Sequence, residues 1–199
     1  MWTGELLRDR LAFTLDAEGL LRLSYQDSQR DDWEHGVLWV RHGQDRSGTH
    51  KWKAINTPRT RLMMRDYLCM VCTGPCSDRE TARVSWLLVD DPEISPDGQP
   101  VTNVPPTCTS CIPEALEACP KLGEHSRVIT VAGAKPIAFA ADLFKPSAID
   151  GTPMKIAHEV NIPLDAGNVL RGALAKHLWV ELLDMRAAPR PQRQPTSSL

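Results

Sequence analysis

Six cysteines, Cys69, Cys72, Cys76, Cys108, Cys111 and Cys119, fall in the middle of a 199-residue chain. Four of them form two Cys-x-x-Cys pairs, Cys69 with Cys72 and Cys108 with Cys111, separated by 35 residues. Each pair can direct two sulfurs at a single ion about 2.3 Å away, and zinc suits such a site because it is redox-silent and accepts a tetrahedron of four sulfurs. A disulfide framework is the competing reading, but it belongs to small secreted chains. The opening Met1-Trp2-Thr3-Gly4-Glu5 lacks the basic and then apolar order of a secretory signal. The expectation is therefore a four-cysteine zinc site in a cytoplasmic protein.

The residues around each pair say how it would be held. Cys69-Met70-Val71-Cys72-Thr73-Gly74 has the form of a zinc knuckle, with small residues that let the backbone turn and aim its amides at the sulfurs. Cys108-Thr109-Ser110-Cys111 is followed by Ile112-Pro113-Glu114-Ala115-Leu116, a helix start with proline and an acid in the first turn. Knuckle, hairpin and ligand pair opening a helix make a treble clef, expected over about residues 65–122. Cys76 and Cys119 are left over and are expected as free structural thiols, a redox or nucleophilic role being the alternative.

Arg65-Asp66-Tyr67-Leu68 leading into the knuckle, and Pro105-Pro106-Thr107 leading into Cys108, give this frame a resemblance to the metal-bearing part of HNH-type nucleases. It more nearly resembles a family of uncharacterised bacterial proteins with an Arg-rich lead-in, Cys-x-Val-Cys-Gly, Pro-Pro-x-Cys-x-x-Cys and a later Cys-Pro-x-Leu. Here the last element reads Cys119-Pro120-Lys121-Leu122, and the lead-in is Thr57-Pro58-Arg59-Thr60-Arg61-Leu62-Met63-Met64. The likeness runs from about Trp39 to Leu122 and implies a zinc frame without implying an activity. The nuclease likeness stops at the chemistry, which needs a general-base histidine between the ligand pairs. No histidine occurs between His50 and His125. Asp90 and Asp91 are the acids at the end of the strand expected in that stretch, and before Pro92 they read as a solvated turn.

The rest of the chain must position this centre. Apolar residues make up 42% and charged residues 24%, with a formal charge of -2, which excludes a disordered chain and a globally basic nucleic-acid coat. No apolar run approaches the ~18 residues needed to span a bilayer. Leu11, Phe13, Leu15 and then Leu21, Leu23, Tyr25 alternate about Asp16-Ala17-Glu18-Gly19, which predicts a hairpin. Val37-Leu38-Trp39-Val40, Val84 to Asp91, Val128-Ile129-Thr130-Val131 and Ile137-Ala138-Phe139-Ala140 read as further strands. Val169, Leu170, Ala173, Leu174, His177, Leu178, Leu182 and Met185 follow helical spacing. The predicted fold is α+β: short antiparallel strands around a four-cysteine treble-clef zinc site, then a C-terminal amphipathic helix over 168–185. One domain, 1–185, is followed by a flexible tail, 186–199.

Charge supplies the other functional hint. Arg41, Arg46, Lys51, Lys53, Arg59, Arg61 and Arg65 face one acid, Asp45, between positions 41 and 65, with Trp52 interleaved. Such a strip suits a phosphate backbone, Trp52 stacking on a base and Arg41, Lys51, Lys53, Arg59, Arg61 and Arg65 contacting phosphates. A surface that pairs with its own acids is the plainer reading of the same residues. The leading function is a non-catalytic zinc-stabilised binding module with nucleic acid as partner. The alternatives are a diverged metal- or thiol-dependent enzyme, and a protein-protein adaptor or homodimer that uses the helix over 168–185.

Overall fold

Alternation builds the first element. The structure, a computed structural model, describes every residue except Arg8, His50, Trp52, Lys53, Gly123, Glu124 and 191–199. In it β1 (Leu11–Leu15) pairs antiparallel with β2 (Leu21–Tyr25), Leu11 opposite Tyr25 and Leu15 opposite Leu21. Asp16 closes the turn by accepting the Glu18 and Leu20 amides on Oδ1, and Gly19 takes the positive φ of 76° that the turn requires. Next come β3 (Trp33–Glu34) and β4 (Val37–Trp39), which pair antiparallel. Helix α1 (Thr57–Asp66) starts at Asn56, whose Oδ1 accepts the Arg59 amide, and carries Pro58 in its first turn. It ends at Tyr67, whose φ of 51° turns the chain so that the Leu68 amide reaches the Met63 carbonyl.

Beyond the helix the order is β5 (Val84–Leu88), β6 (Glu93–Ile94), β7 (Pro100–Thr102) and α2 (Ile112–Ala118). Then follow β8 (Arg127–Val131), β9 (Gly133–Pro146), β10 (Pro153–Pro163), β11 (Ala173–Leu183) and β12 (Arg186–Ala187). This is a mixed α+β architecture, mostly strands, with two α-helices among the described residues.

The chain forms two compact units, Met1–Arg61 with Pro136–Trp179 and Leu62–Lys135 with Val180–Leu199. In the first, the strand order is β10-β9-β11-β4-β3, and Leu174 and Phe144 of that sheet pack with Leu23, Tyr25, Leu11 and Phe13 of the hairpin. Each fully buried side chain of this kind contributes roughly 1.5–3 kcal/mol. In the second, β5 is buried along its whole length and pairs with β8, which pairs in turn with β12. Leu87, Ile112 and Val128 pack together there, so helix α2 closes over the β5–β8 ladder. Strands β6 and β7 form a hairpin between the two cysteine pairs.

Three expectations change. Residues 168–185 are not an amphipathic helix: a 3-10 helix spans Gly167–Gly172 and β11 takes most of the rest. Leu170, Leu174, Leu178 and Leu182 recur every fourth residue, a spacing that satisfies a helical face and also an even number of strand steps. Gly167 and Gly172 lower helix propensity, Trp179 and Val180 favour strand, and β11 has buried residues on both faces, as an inner strand does. The tail does not begin at 186, because Arg186 and Ala187 pair with Thr130 and Ile129 and the Ala188 amide donates to the Val128 carbonyl. The single domain over 1–185 is resolved into the two units above, each built from two separate stretches of chain.

Candidate metal centre

The first cysteine pair is set by a tight loop after α1. The Cys69 amide donates to the Gly74 carbonyl at 2.7 Å and the Thr73 amide to the Cys69 carbonyl at 2.9 Å, with Thr73 at φ 61°. This geometry points the Val71 amide at Cys69 Sγ and the Gly74 amide at Cys72 Sγ, both at 3.4 Å. Glycine suits position 74, since a Cβ there would lie 3.3 Å from Cys72 Sγ and crowd it. The second pair opens α2: the Cys111 amide donates to Cys108 O, and Cys111 O accepts the Ala115 amide of the first helical turn.

Strand β5 brings the pairs together. The Ser85 amide donates to the Cys76 carbonyl while the Ser85 carbonyl accepts the Thr107 amide, so one buried residue is bonded to the chain that follows the first cysteine pair and to the chain that precedes the second. A direct bond from the Met70 amide to the Pro106 carbonyl at 2.9 Å adds to this. Trp86, fully buried, donates its indole N–H to Val104 O at 2.7 Å and meets Tyr67 edge-on, so the approaches to both pairs share one aromatic support.

The result is a group of four sulfurs, those of Cys69, Cys72, Cys108 and Cys111, all within 4.8 Å of one another. A regular tetrahedron with metal–sulfur bonds of about 2.3 Å has edges of about 3.8 Å. Cys72 Sγ and Cys108 Sγ are 3.8 Å apart. Cys69, Cys108 and Cys111 are buried and Cys72 is exposed. Burial raises the Cys69 thiol, but hydrogen bonds from the backbone of Cys72, Cys108 and Val71 outweigh it and bring the group down to about 7. Cys111 is pushed up, by burial first and then by the sulfurs of Cys108 and Cys72. Four thiols this close repel one another when ionised, and a cation held between them would relieve that repulsion, so the group is compatible with a metal ion.

The two remaining cysteines stay outside this group. Cys76 is buried, and burial and the charge of Cys69 hold its thiol protonated. Cys119 follows α2, its amide bonded to Ala115 O, and is half-buried. Asp90 and Asp91 are exposed, and Asp91 accepts the Arg127 Nε–H at 2.8 Å.

The basic strip is differently placed from the way its sequence suggests. Arg41 donates to both oxygens of the buried Asp32 and to Asp27, and lies over the Tyr25 ring. Arg59 donates to Glu5, which is fully buried. Arg61 pairs with Glu34 at 3.3 Å and lies over Trp39, while Arg65 holds the neighbouring Asp66. Lys51 and Arg46 are exposed, and Trp52 and Lys53 lie outside the described residues. The partners Glu5, Asp27, Asp32 and Glu34 precede position 41, so a charge count restricted to 41–65 leaves them out.

One constellation had no forecast. Asp142 on β9 is buried and accepts Lys155 Nζ at 2.5 Å, Lys176 Nζ at 2.9 Å and the Glu159 amide at 3.0 Å, with His158 Nδ1 at 2.9 Å. Burial by itself would raise this carboxyl, yet the two ammonium groups and the amide hold it well below the usual carboxylate range. Register shifts in β10 before Val160 place the Glu159 amide there, with Glu159 at a positive φ of 48°. The available signal was a charge inside the apolar run Ile137 to Phe144.

No family model matches the chain, and no curated protein or solved structure matches it. No helix among the described residues is long and apolar enough to cross a membrane.

Proposed function

We propose that the chain is a non-catalytic binding module whose second unit folds around one zinc ion held by Cys69, Cys72, Cys108 and Cys111 in a treble-clef arrangement. The carrying observation is the sulfur group itself: four thiols, three of them buried, with a tetrahedral edge length between Cys72 and Cys108. Four protein sulfurs fill a tetrahedral ion and leave no position for water, the mark of a structural rather than a catalytic zinc. The missing histidine between the ligand pairs supports the same reading against a nuclease. Metal analysis of protein purified without chelator tests it: one zinc per chain is expected, lost in Cys108→Ser, and a zinc-free folded chain overturns it. No Mg- or Mn-dependent cleavage of DNA is expected, and cleavage abolished by Asp90→Ala would show that the acids were misjudged.

Nucleic acid is the partner proposed for the strip between Arg41 and Arg65, in a cytoplasmic setting. The ion pairs of Arg41, Arg59, Arg61 and Arg65 leave it Arg46 and Lys51 among the described residues, and Lys53 as a third contact and Trp52 as a stacking ring are proposed from the sequence alone. At about 0.9 counterions released per phosphate contact, log K should then fall with log salt at a slope no steeper than about -2.7. Fluorescence anisotropy with labelled duplex and single strands measures it, and no binding tighter than about 100 μM at low salt removes nucleic acid as the partner.

A further inference from the structure

The first unit contains a cavity of about 390 Å³ beside the β1–β2 turn, lined by Asp16, Glu18, Arg22, Trp33, Leu170 and Arg171 among others. That is within the range of small-ligand sites, about 300–1,000 Å³. Its two arginines are in opposite states. Arg171 is committed, donating to Asp16 and, at 3.0 Å, to Glu18. Arg22 has no acidic partner among the described residues; its guanidinium lies 4.3 Å from the centre of the Trp33 ring, and its Nε is buried without an acceptor.

A guanidinium carries five donors and no acceptor, and folded proteins rarely leave a buried N–H such as that of Arg22 Nε without an oxygen to receive it. The Trp33 face attracts the charge but offers no lone pair in the plane of the guanidinium. An oxyanion entering the cavity would supply it, and the planar fork fits a carboxylate with two parallel N–H···O bonds. The lining decides between oxyanions. Asp16 and Glu18 outweigh Arg171 by one charge, so Arg22 brings the site only to neutrality, and it has no surplus positive charge to balance the second charge of a phosphate dianion. Leu170 and the Trp33 ring line the same cavity and are the apolar groups nearest to whatever carries the charge.

We propose that this cavity binds a carboxylate carried on an apolar or aromatic body, with Arg22 as its anchor and Trp33 and Leu170 against the body. The chemistry is shared by a free aromatic acid and by a peptide that ends in an apolar residue. The proposal gives the binding module a ligand, and it depends on no residue of the zinc centre.

The test is an NMR titration of the full zinc-loaded chain, following the Arg22 Nε–H and Trp33 indole N–H resonances. Phenylacetate should shift both with a Kd on the order of 1 mM, as befits so small a ligand. Phenylethanol, which lacks the charge, and inorganic phosphate should bind at least tenfold more weakly. A peptide ending in a free phenylalanine carboxylate that binds as tightly as phenylacetate assigns a peptide source, its amidated form serving as control; response to phenylacetate alone assigns a free acid. Arg22→Gln should weaken phenylacetate at least tenfold with zinc content and unfolding midpoint unchanged, and Arg22→Lys should recover part of the loss. No saturable shift, equal affinity for phenylethanol, or undiminished binding by Arg22→Gln overturns the proposal. The comparison of phenylacetate with phenylethanol holds on the unaltered chain even where a variant fails to fold. Loss of the zinc assignment would show in metal analysis and leave this titration unaffected.

Discussion

The second unit gathers four thiols around one point, whereas the first buries carboxylates beneath cations. In the second, Cys69, Cys72, Cys108 and Cys111 come from segments 35 residues apart and are joined through Ser85 and Met70. In the first, Glu5 is held by Arg59, Asp32 by Arg41 and Asp142 by Lys155 and Lys176, each acid buried and each cation reaching it from another part of the chain. The difference is one of tolerance. A metal site is formed or absent as a set, because each ligand loses its purpose without the others. A buried ion pair is local, and removing one partner leaves a single charge without compensation. The two units should therefore respond to different insults.

The largest separation should come from metal removal. Apparent binding free energies for structural zinc are about 10–16 kcal/mol, so chelation or Cys108→Ser is expected to unfold the segment over 69–119 outright. Hydrogen exchange should then show fast amides at Ser85 and Thr107 while β2 and β9 keep their protection. Uniform loss of protection would break the comparison by showing that one unit cannot stand without the other.

The reverse insult is Arg59→Ala. It removes the guanidinium from Glu5, which is fully buried and keeps the Trp2 amide as a donor. Breaking a buried pair in this way costs about 3–5 kcal/mol, and the lower end applies here because the Arg59 side chain is 25% exposed. Urea unfolding should show the loss with zinc content unchanged. A loss below about 1 kcal/mol would place this pair with ordinary surface ion pairs.

Acid sharpens the contrast through Asp142. Its carboxyl is held below the usual range in the folded chain, whereas the unfolded chain takes up the proton near an ordinary pKa of about 3.9. The contribution is thus complete above the ordinary carboxylate pKa and is lost as pH falls below it towards the lowered folded value. Asp142→Asn should flatten the fall in stability below about pH 4 and leave the slope above about pH 6 unchanged. An unchanged acid limb would mean that other carboxylates govern acid unfolding.

The smallest effect belongs to Tyr67→Phe in the second unit. Tyr67 Oη accepts the Ala134 amide at 2.9 Å and donates to the Ala134 carbonyl at 3.3 Å. Losing the hydroxyl should cost about 1 kcal/mol in thermal unfolding and leave zinc affinity unchanged, since the ring still meets Trp86.

What the sequence determined by itself is whatever depends on near neighbours. Cys-x-x-Cys spacing, a small residue after the knuckle and proline at a helix start act within one turn, and the sulfur group and α2 appear where those signals stand. The β1–β2 hairpin follows for the same reason, its alternation and its Asp-x-x-Gly turn being contiguous. Tertiary structure decided the rest. Residues spaced by four satisfy both periods, so burial on both faces, added to the local preferences of Gly172, Trp179 and Val180, made 173–183 a strand. Arg41 and Arg59 read as phosphate contacts until folding brought Asp32 and Glu5 from earlier in the chain, and nothing in the sequence marks Arg22, because the cavity beside it forms only on folding. Charge and burial are sums over space, and the distances along a chain do not contain them.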